Sequence, residues 1–230
     1  MNNKIIITAA IILLLVVIGA GGWYFYTFGP ACNAMRSIVG KYDDWRMERL
    51  AKGVEYGDNF LKQYRVAEAR IKNNPGDAEA YADLGAAKTA LKDYSGAEKA
   101  YSKALALDDH NVYILNSAAN SYLTMKNYPL AEECYLKMLK IDPVYSPAYQ
   151  GLVVLYNNYY ARKRGDIEGV LKKGLENSPD DQNLLALLAS YYLTISGERE
   201  KAIVVYGKML LLRPDDALLK VEIKRLKAER

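Results

Sequence analysis

The amino-acid sequence predicts an all-α protein: a solenoid of antiparallel helix pairs preceded by one transmembrane helix. Three observations carry this prediction. Pro75, Asp109, Pro143, Pro179 and Pro214 punctuate the chain at intervals of 34, 34, 36 and 35 residues. Within each interval, apolar and small residues follow the i, i+3, i+4, i+7 spacing of a single helix face. Residues 5–28 contain no charge, and 13 of those 24 are Ile, Leu, Val or Phe.

The N-terminal elements come first. Residues 1–4 form a short tail, and 5–28 form the expected transmembrane helix or signal anchor. At ~1.5 Å per residue it reaches ~36 Å, more than the ~30 Å of a hydrocarbon core. Its aliphatic and Phe residues favour insertion by roughly 4–8 kcal/mol, with no charge opposing them. Trp23-Tyr24-Phe25-Tyr26 lies at one end, where amphipathic rings prefer headgroups, and Gly29-Pro30 is expected to stop the helix. Two other readings remain open. Gly19 to Gly22 are small enough for signal-peptide cleavage, although the apolar run continues past them. Cys32 would be the lipidated residue of a lipoprotein, although Gly29-Pro30-Ala31 resembles a lipobox poorly. Lys4 and the α-amino group favour a cytoplasmic N-terminus and an extracytoplasmic C-terminal domain. Arg36, Lys41 and Arg46 argue the other way. The shortness of the lysine-bearing tail favours the extracytoplasmic side.

A juxtamembrane linker is expected over 29–43. Residues 44–77 then carry Leu50, Ala51, Val54, Phe60, Ala67 and Ile71 on the same 34-residue grid. They form either a degenerate first repeat or an unrelated helical hairpin that caps the stack.

Four units follow. Residues 78–111 show Tyr81, Leu84 and Gly85, then Tyr94, Ala97, Tyr101, Ala104 and Leu105. Residues 112–145 show Leu115, Ala118, Ala119 and Tyr122, then Tyr128, Ala131, Tyr135, Met138 and Leu139. Residues 146–181 show Tyr149, Leu152, Val153 and Tyr156, then Ile167, Leu171, Gly174 and Leu175. Residues 182–214 show Leu185, Leu188, Ala189 and Tyr192, then Ala202, Tyr206, Met209 and Leu210. Turn residues divide each unit: Lys92-Asp93, Lys126-Asn127, Arg164-Gly165-Asp166 and Ser196-Gly197. The third unit has two extra residues and larger side chains at Val153 and Ile167, which predicts a local distortion. Residues 215–230 begin on Asp215-Asp216 and form a capping helix with a lysine- and arginine-rich outer face.

This pattern resembles the tetratricopeptide repeat (TPR), a 34-residue helix pair with an aromatic, a Leu-Gly pair, a Tyr, a distal Ala, an aromatic and a closing Pro. The resemblance covers residues 78–214. It implies a right-handed superhelical solenoid whose first helices line a concave face, and a protein or peptide as partner.

Other classes of function find no support. Lys plus Arg number 31 and Asp plus Glu 27, and the resulting net charge of +4 argues against a nucleic-acid partner. One His and two Cys cannot build a common zinc site. His110 lies on a turn with no nucleophile beside it, and Cys134 reads as a structural thiol. The pairs Asp108-Asp109, Asp180-Asp181 and Asp215-Asp216 read as helix caps rather than acid–base groups. No catalytic residue, cofactor site or metal site is expected.

The candidate site is therefore the stripe opposite the core face of each first helix. It starts with Glu79, Ala82 and Ala86, continues with Tyr113, Asn116, Asn120 and Thr124, then Gln150, Val154, Asn157 and Asn158. It ends with Asn183, Ala186, Ser190 and Thr194. Side-chain amides donate and accept, which suits an extended peptide backbone. Ala82 and Ala86 leave a carboxylate clamp unsupported. The expected function is a membrane-anchored scaffold or adaptor that holds an extended segment in a neutral groove. The alternative is a chaperone-like or secretion-accessory protein that holds client chains. Self-association through the concave face or the caps is compatible with both.

Overall fold

The computed structural model describes residues 29–228. The expected membrane span and its alternatives fall on residues 5–28, outside the described residues. Among the described residues, no helix is long and apolar enough to cross a membrane. The chain divides into two compact units, Met1–Glu55 and Tyr56–Arg230.

In the first unit, α1 runs from Gly29 to Ala51. The expected linker over 29–43 is thus helical.

The second unit is all helix. It contains α2 (Gly57–Asn73), α3 (Ala78–Ala90), α4 (Tyr94–Leu107), α5 (Val112–Thr124), α6 (Tyr128–Ile141) and α7 (Ser146–Asn158). After these come α8 (Ile167–Asn177), α9 (Gln182–Tyr191), α10 (Arg199–Leu212) and α11 (Ala217–Ala228). They pack as consecutive antiparallel pairs, α3 with α4, α5 with α6, α7 with α8 and α9 with α10. At the ends, α2 packs on α3 and α11 on α10. The second helices end at Asn73, Leu107, Ile141, Asn177 and Leu212, so the period read in the sequence is the period of the stack. One apolar cluster runs through it from Ala82 to Leu219.

Short polar side chains start the helices. Asp77 accepts from the Ala80 N–H at 2.9 Å, Asp181 from Asn183 and Leu184, and Asp216 from Leu219. At α5 the cap is Asn111, which accepts from Tyr113 at 3.0 Å. Asp109, expected to cap there, instead accepts from the Lys137 ammonium of α6 at 2.5 Å.

The turns inside the pairs reverse the chain through a left-handed residue. Gly197 supplies it before α10 (φ 73°), but Lys92 (φ 63°) and Lys126 (φ 60°) supply it in the first two pairs. An L side chain there costs ~1–2 kcal/mol, partly offset by the entropy a glycine would lose. Lys92→Gly and Lys126→Gly are each expected to stabilise the protein by ~0.5–1 kcal/mol. Both side chains are exposed, so no packing is lost. Urea midpoints that stay put or fall would refute this.

The expected distortion in the third pair is a 3₁₀ turn, Ala161–Asp166, placed between α7 and α8. The fourth pair accommodates its extra residue in a π-helical turn, Tyr192–Ser196, that prolongs α9.

Candidate functional site

The first helices α3, α5, α7 and α9 present one face of the stack. Ala82, expected on the exposed stripe, is fully buried and belongs to the core cluster. A first helix is covered by its own partner helix and by its neighbours, so the free stripe is narrower than a simple opposite-face rule allows.

Asp83 takes the outward role beside Ala86. It was missed because it is one residue off the assumed stripe. Its carboxylate accepts from the Arg70 guanidinium of α2 at 2.5 Å and from the Tyr113 hydroxyl of α5 at 2.6 Å. Three helices are thereby tied at one point. The hydrogen bond to Asp83, together with burial, pushes the Tyr113 phenol up to about 12. Around this knot lies an open groove of about 650 Å³, lined by Asn59, Lys62, Gln63 and Val66 of α2 with Asp83, Ala86 and Tyr113. Its lining includes the Lys62 ammonium and the paired Asp83 carboxylate, so it is not the uncharged surface expected from the sequence.

Further along, Asn120 is exposed, but its side-chain oxygen accepts from the Tyr135 hydroxyl at 3.2 Å. Asn116 is half-buried. Gln150 is half-buried too and donates to the Ser146 hydroxyl at 3.2 Å. The exposed residues of α7 are Pro147, Val154 and Asn158, which makes the middle of the face partly apolar. Asn157 donates to Asn158 at 3.0 Å. Asn183, Ala186, Ser190 and Thr194 are all exposed. Of the eight expected groove residues, Tyr113, Asn120, Asn158, Asn183 and Ser190 are exposed and Asn116, Gln150 and Asn157 half-buried, and several amides already serve the fold.

That face is not continuous. α3 packs on α5 and α7 touches α9, whereas α5 and α7 scarcely meet. The gap is bridged by Tyr135 of α6, whose ring lies against Gly151 of α7. A Cβ at Gly151 would come within 2.3 Å of that ring. The same close approach recurs within the first pair, between Gly85 and Tyr101, whose hydroxyl bonds Ser121 at 2.6 Å and Ser117 at 3.0 Å.

A second periodic feature joins the pairs. Tyr156 of α7 donates to Glu132 of α6 at 2.5 Å, and Tyr192 donates to Glu168 of α8 at 2.8 Å. Each tyrosine follows its glutamate by 24 residues. The Lys163 ammonium of the 3₁₀ turn also binds Glu132 and lies over the Tyr156 ring. This explains how an inserted turn is held. Among the described residues, no cluster of three His, Cys, Asp or Glu side chains could hold a metal ion.

Residues 88–155, from the end of α3 into α7, match the family profile of the tetratricopeptide repeat. A crystal structure of MamA is similar over 73% of this chain and 90% of its own, at 17% identity and a TM-score of 0.52. The helical stack is a TPR-like solenoid. A MamA RS-1 ArsTM double mutant is similar over 76% of this chain and 96% of its own, at 17% identity and a TM-score of 0.52. A thermophilic TPR protein of Thermus thermophilus covers 80% of this chain and 99% of its own, at 19% identity and a TM-score of 0.48. At these identities the likeness concerns the fold. The tyrosine–glutamate pairs and the Tyr135–Gly151 contact join successive units of this stack.

Proposed function

We propose that this protein is an interaction scaffold: the face of its first helices binds an extended segment of a protein partner, and residues 5–28 hold it at a membrane. The observation that carries the binding reading is the row of exposed Tyr113, Asn120, Asn158, Asn183 and Ser190 along that face, opening at one end into the α2–α3–α5 groove. Hydroxyl and amide groups at helical spacing offer alternating donors and acceptors to a peptide backbone without selecting a charge. Anchoring concentrates the solenoid near membrane-bound partners. Its support is the run of 24 uncharged residues.

Crosslinking in native membranes identifies the partner, and variants then test the face. Asn116→Ala with Asn120→Ala is expected to weaken capture about tenfold, or ~1.4 kcal/mol. Because Asn120 also bonds Tyr135, helicity and the urea midpoint are measured in parallel. Undiminished capture by a folded double variant would remove this face from the interaction.

A further inference from the structure

Helix α1 carries an exposed surface of its own. Met47 and Ala51 are buried and mark one side of the helix. On the opposite side, Ile38, Tyr42, Trp45 and Arg49 follow at i, i+4, i+7 and i+11, the spacing of one face. Ile38, Tyr42 and Trp45 are each more than half exposed. The Tyr42 and Trp45 rings lie 5.9 Å apart, and the Arg49 guanidinium sits 5.7 Å from the Trp45 ring centre. At ~100° per residue, Lys41 and Arg46 flank this stripe on either side, Arg46 paired with Asp43 at 3.6 Å, while Asp44 and Glu48 lie further round.

Exposed tyrosine and tryptophan rings beside lysine and arginine suit the headgroup layer of a bilayer, where amphipathic rings and cations are favoured. Its place in the chain names the occupant. The uncharged run ends at Phe28, ten residues before Ile38. Pro30 has no N–H to donate into a preceding turn, so a spanning helix need not continue straight into α1. Projected along the membrane normal, Trp45 would stand ~24 Å beyond the start of α1, in water. Turned into the membrane plane, the same helix buries its three apolar side chains and brings its cations to lipid phosphates.

We propose that α1 lies in the headgroup layer of an anionic bilayer, with Ile38, Tyr42 and Trp45 inserted and Lys41, Arg46 and Arg49 against lipid phosphates. This rests on the reading of residues 5–28 as a membrane span. The chain has two tryptophans, Trp23 and Trp45, so each is isolated by one substitution. Full-length Trp23→Phe and Trp45→Phe proteins are reconstituted into phosphatidylcholine–phosphatidylglycerol vesicles containing lipid brominated near the headgroup end of its chains. Trp45 is expected to emit blue-shifted, to be quenched by the brominated lipid, and to resist aqueous iodide several-fold better than a free tryptophan analogue. Iodide quenching without lipid quenching overturns the proposal. Shielding from both quenchers also overturns it, because protein, such as a second copy, then covers the stripe. Unchanged Trp45 quenching in pure phosphatidylcholine overturns the anionic part. Trp23 reports the span separately: if brominated lipid leaves Trp23 unquenched, that reading falls, while Trp45 still judges α1.

Discussion

Tyr135→Ala should cost ~3–5 kcal/mol, the range for emptying a large aromatic site in a core. Tyr135 is 2% exposed, its ring fills the space against Gly151, and its hydroxyl reaches Asn120. Since α5 and α7 scarcely meet, the second and third pairs are joined through α6, by this side chain and by the Tyr156–Glu132 hydrogen bond. A solenoid unfolds as one body only while its nearest-neighbour interfaces hold. The variant should therefore also split urea unfolding into two transitions, or lower the apparent slope. Tyr135→Phe keeps the ring and loses one hydrogen bond, so it should cost only ~1 kcal/mol. A single transition and a loss below ~1 kcal/mol for the alanine variant would show that the joint lies elsewhere.

Alkaline pH should destabilise this protein as its buried phenols and thiol are forced to ionise. Burial pushes Tyr122, Tyr135 and the Cys134 thiol up to about 12. Burial, followed by the neighbouring glutamates, also raises Tyr156 and Tyr192. In the unfolded chain these groups ionise near their ordinary values of 10.0 and 9.0. Between about pH 9 and 12 the unfolded state thus holds fewer protons than the folded one, and stability falls as pH rises. The stabilisation is complete below about pH 9. For Tyr122 and Tyr135 the loss reaches roughly 2–3 kcal/mol each by about pH 12, where the folded-state phenols ionise. Urea midpoints across about pH 8–11, followed together with tyrosinate absorbance, check the expectation. Phenols that all ionise near pH 10 in a still-folded protein would contradict it.

The tyrosines show how far a sequence can be read. Of the ten tyrosines on helical repeat positions, Tyr94 is exposed and Tyr81, Tyr128 and Tyr206 are half-buried, whereas Tyr101, Tyr122, Tyr135, Tyr149, Tyr156 and Tyr192 are buried. Periodicity alone places them, because a buried stripe must recur with the helix. The partners of their hydroxyls were not legible. Ser117 and Ser121, Asn120, Glu132 and Glu168 come from other helices, and their distances depend on how the pairs are stacked. Gly151 was overlooked for the same reason. It stands in a position like any other on α7 until Tyr135 is brought against it.

The candidate face was legible in outline only. Exposure of Tyr113, Asn120, Asn158, Asn183 and Ser190 follows from their distance to the apolar stripe. Ala82 and Asp83 exchanged roles because burial by a neighbouring pair adds a second apolar side to α3. A single sequence does not mark where that side begins.

The sequence by itself determined the helices, their pairing and their 34-to-36-residue period. These follow from local spacing, capping residues and helix-stopping residues at fixed intervals. The tertiary structure decided which first helices abut, which polar side chains are spent inside the fold, and where the groove opens beside Asp83 and Tyr113. Those outcomes depend on side chains from helices far apart in sequence meeting at contact distance, and periodicity within one helix carries no information about that distance.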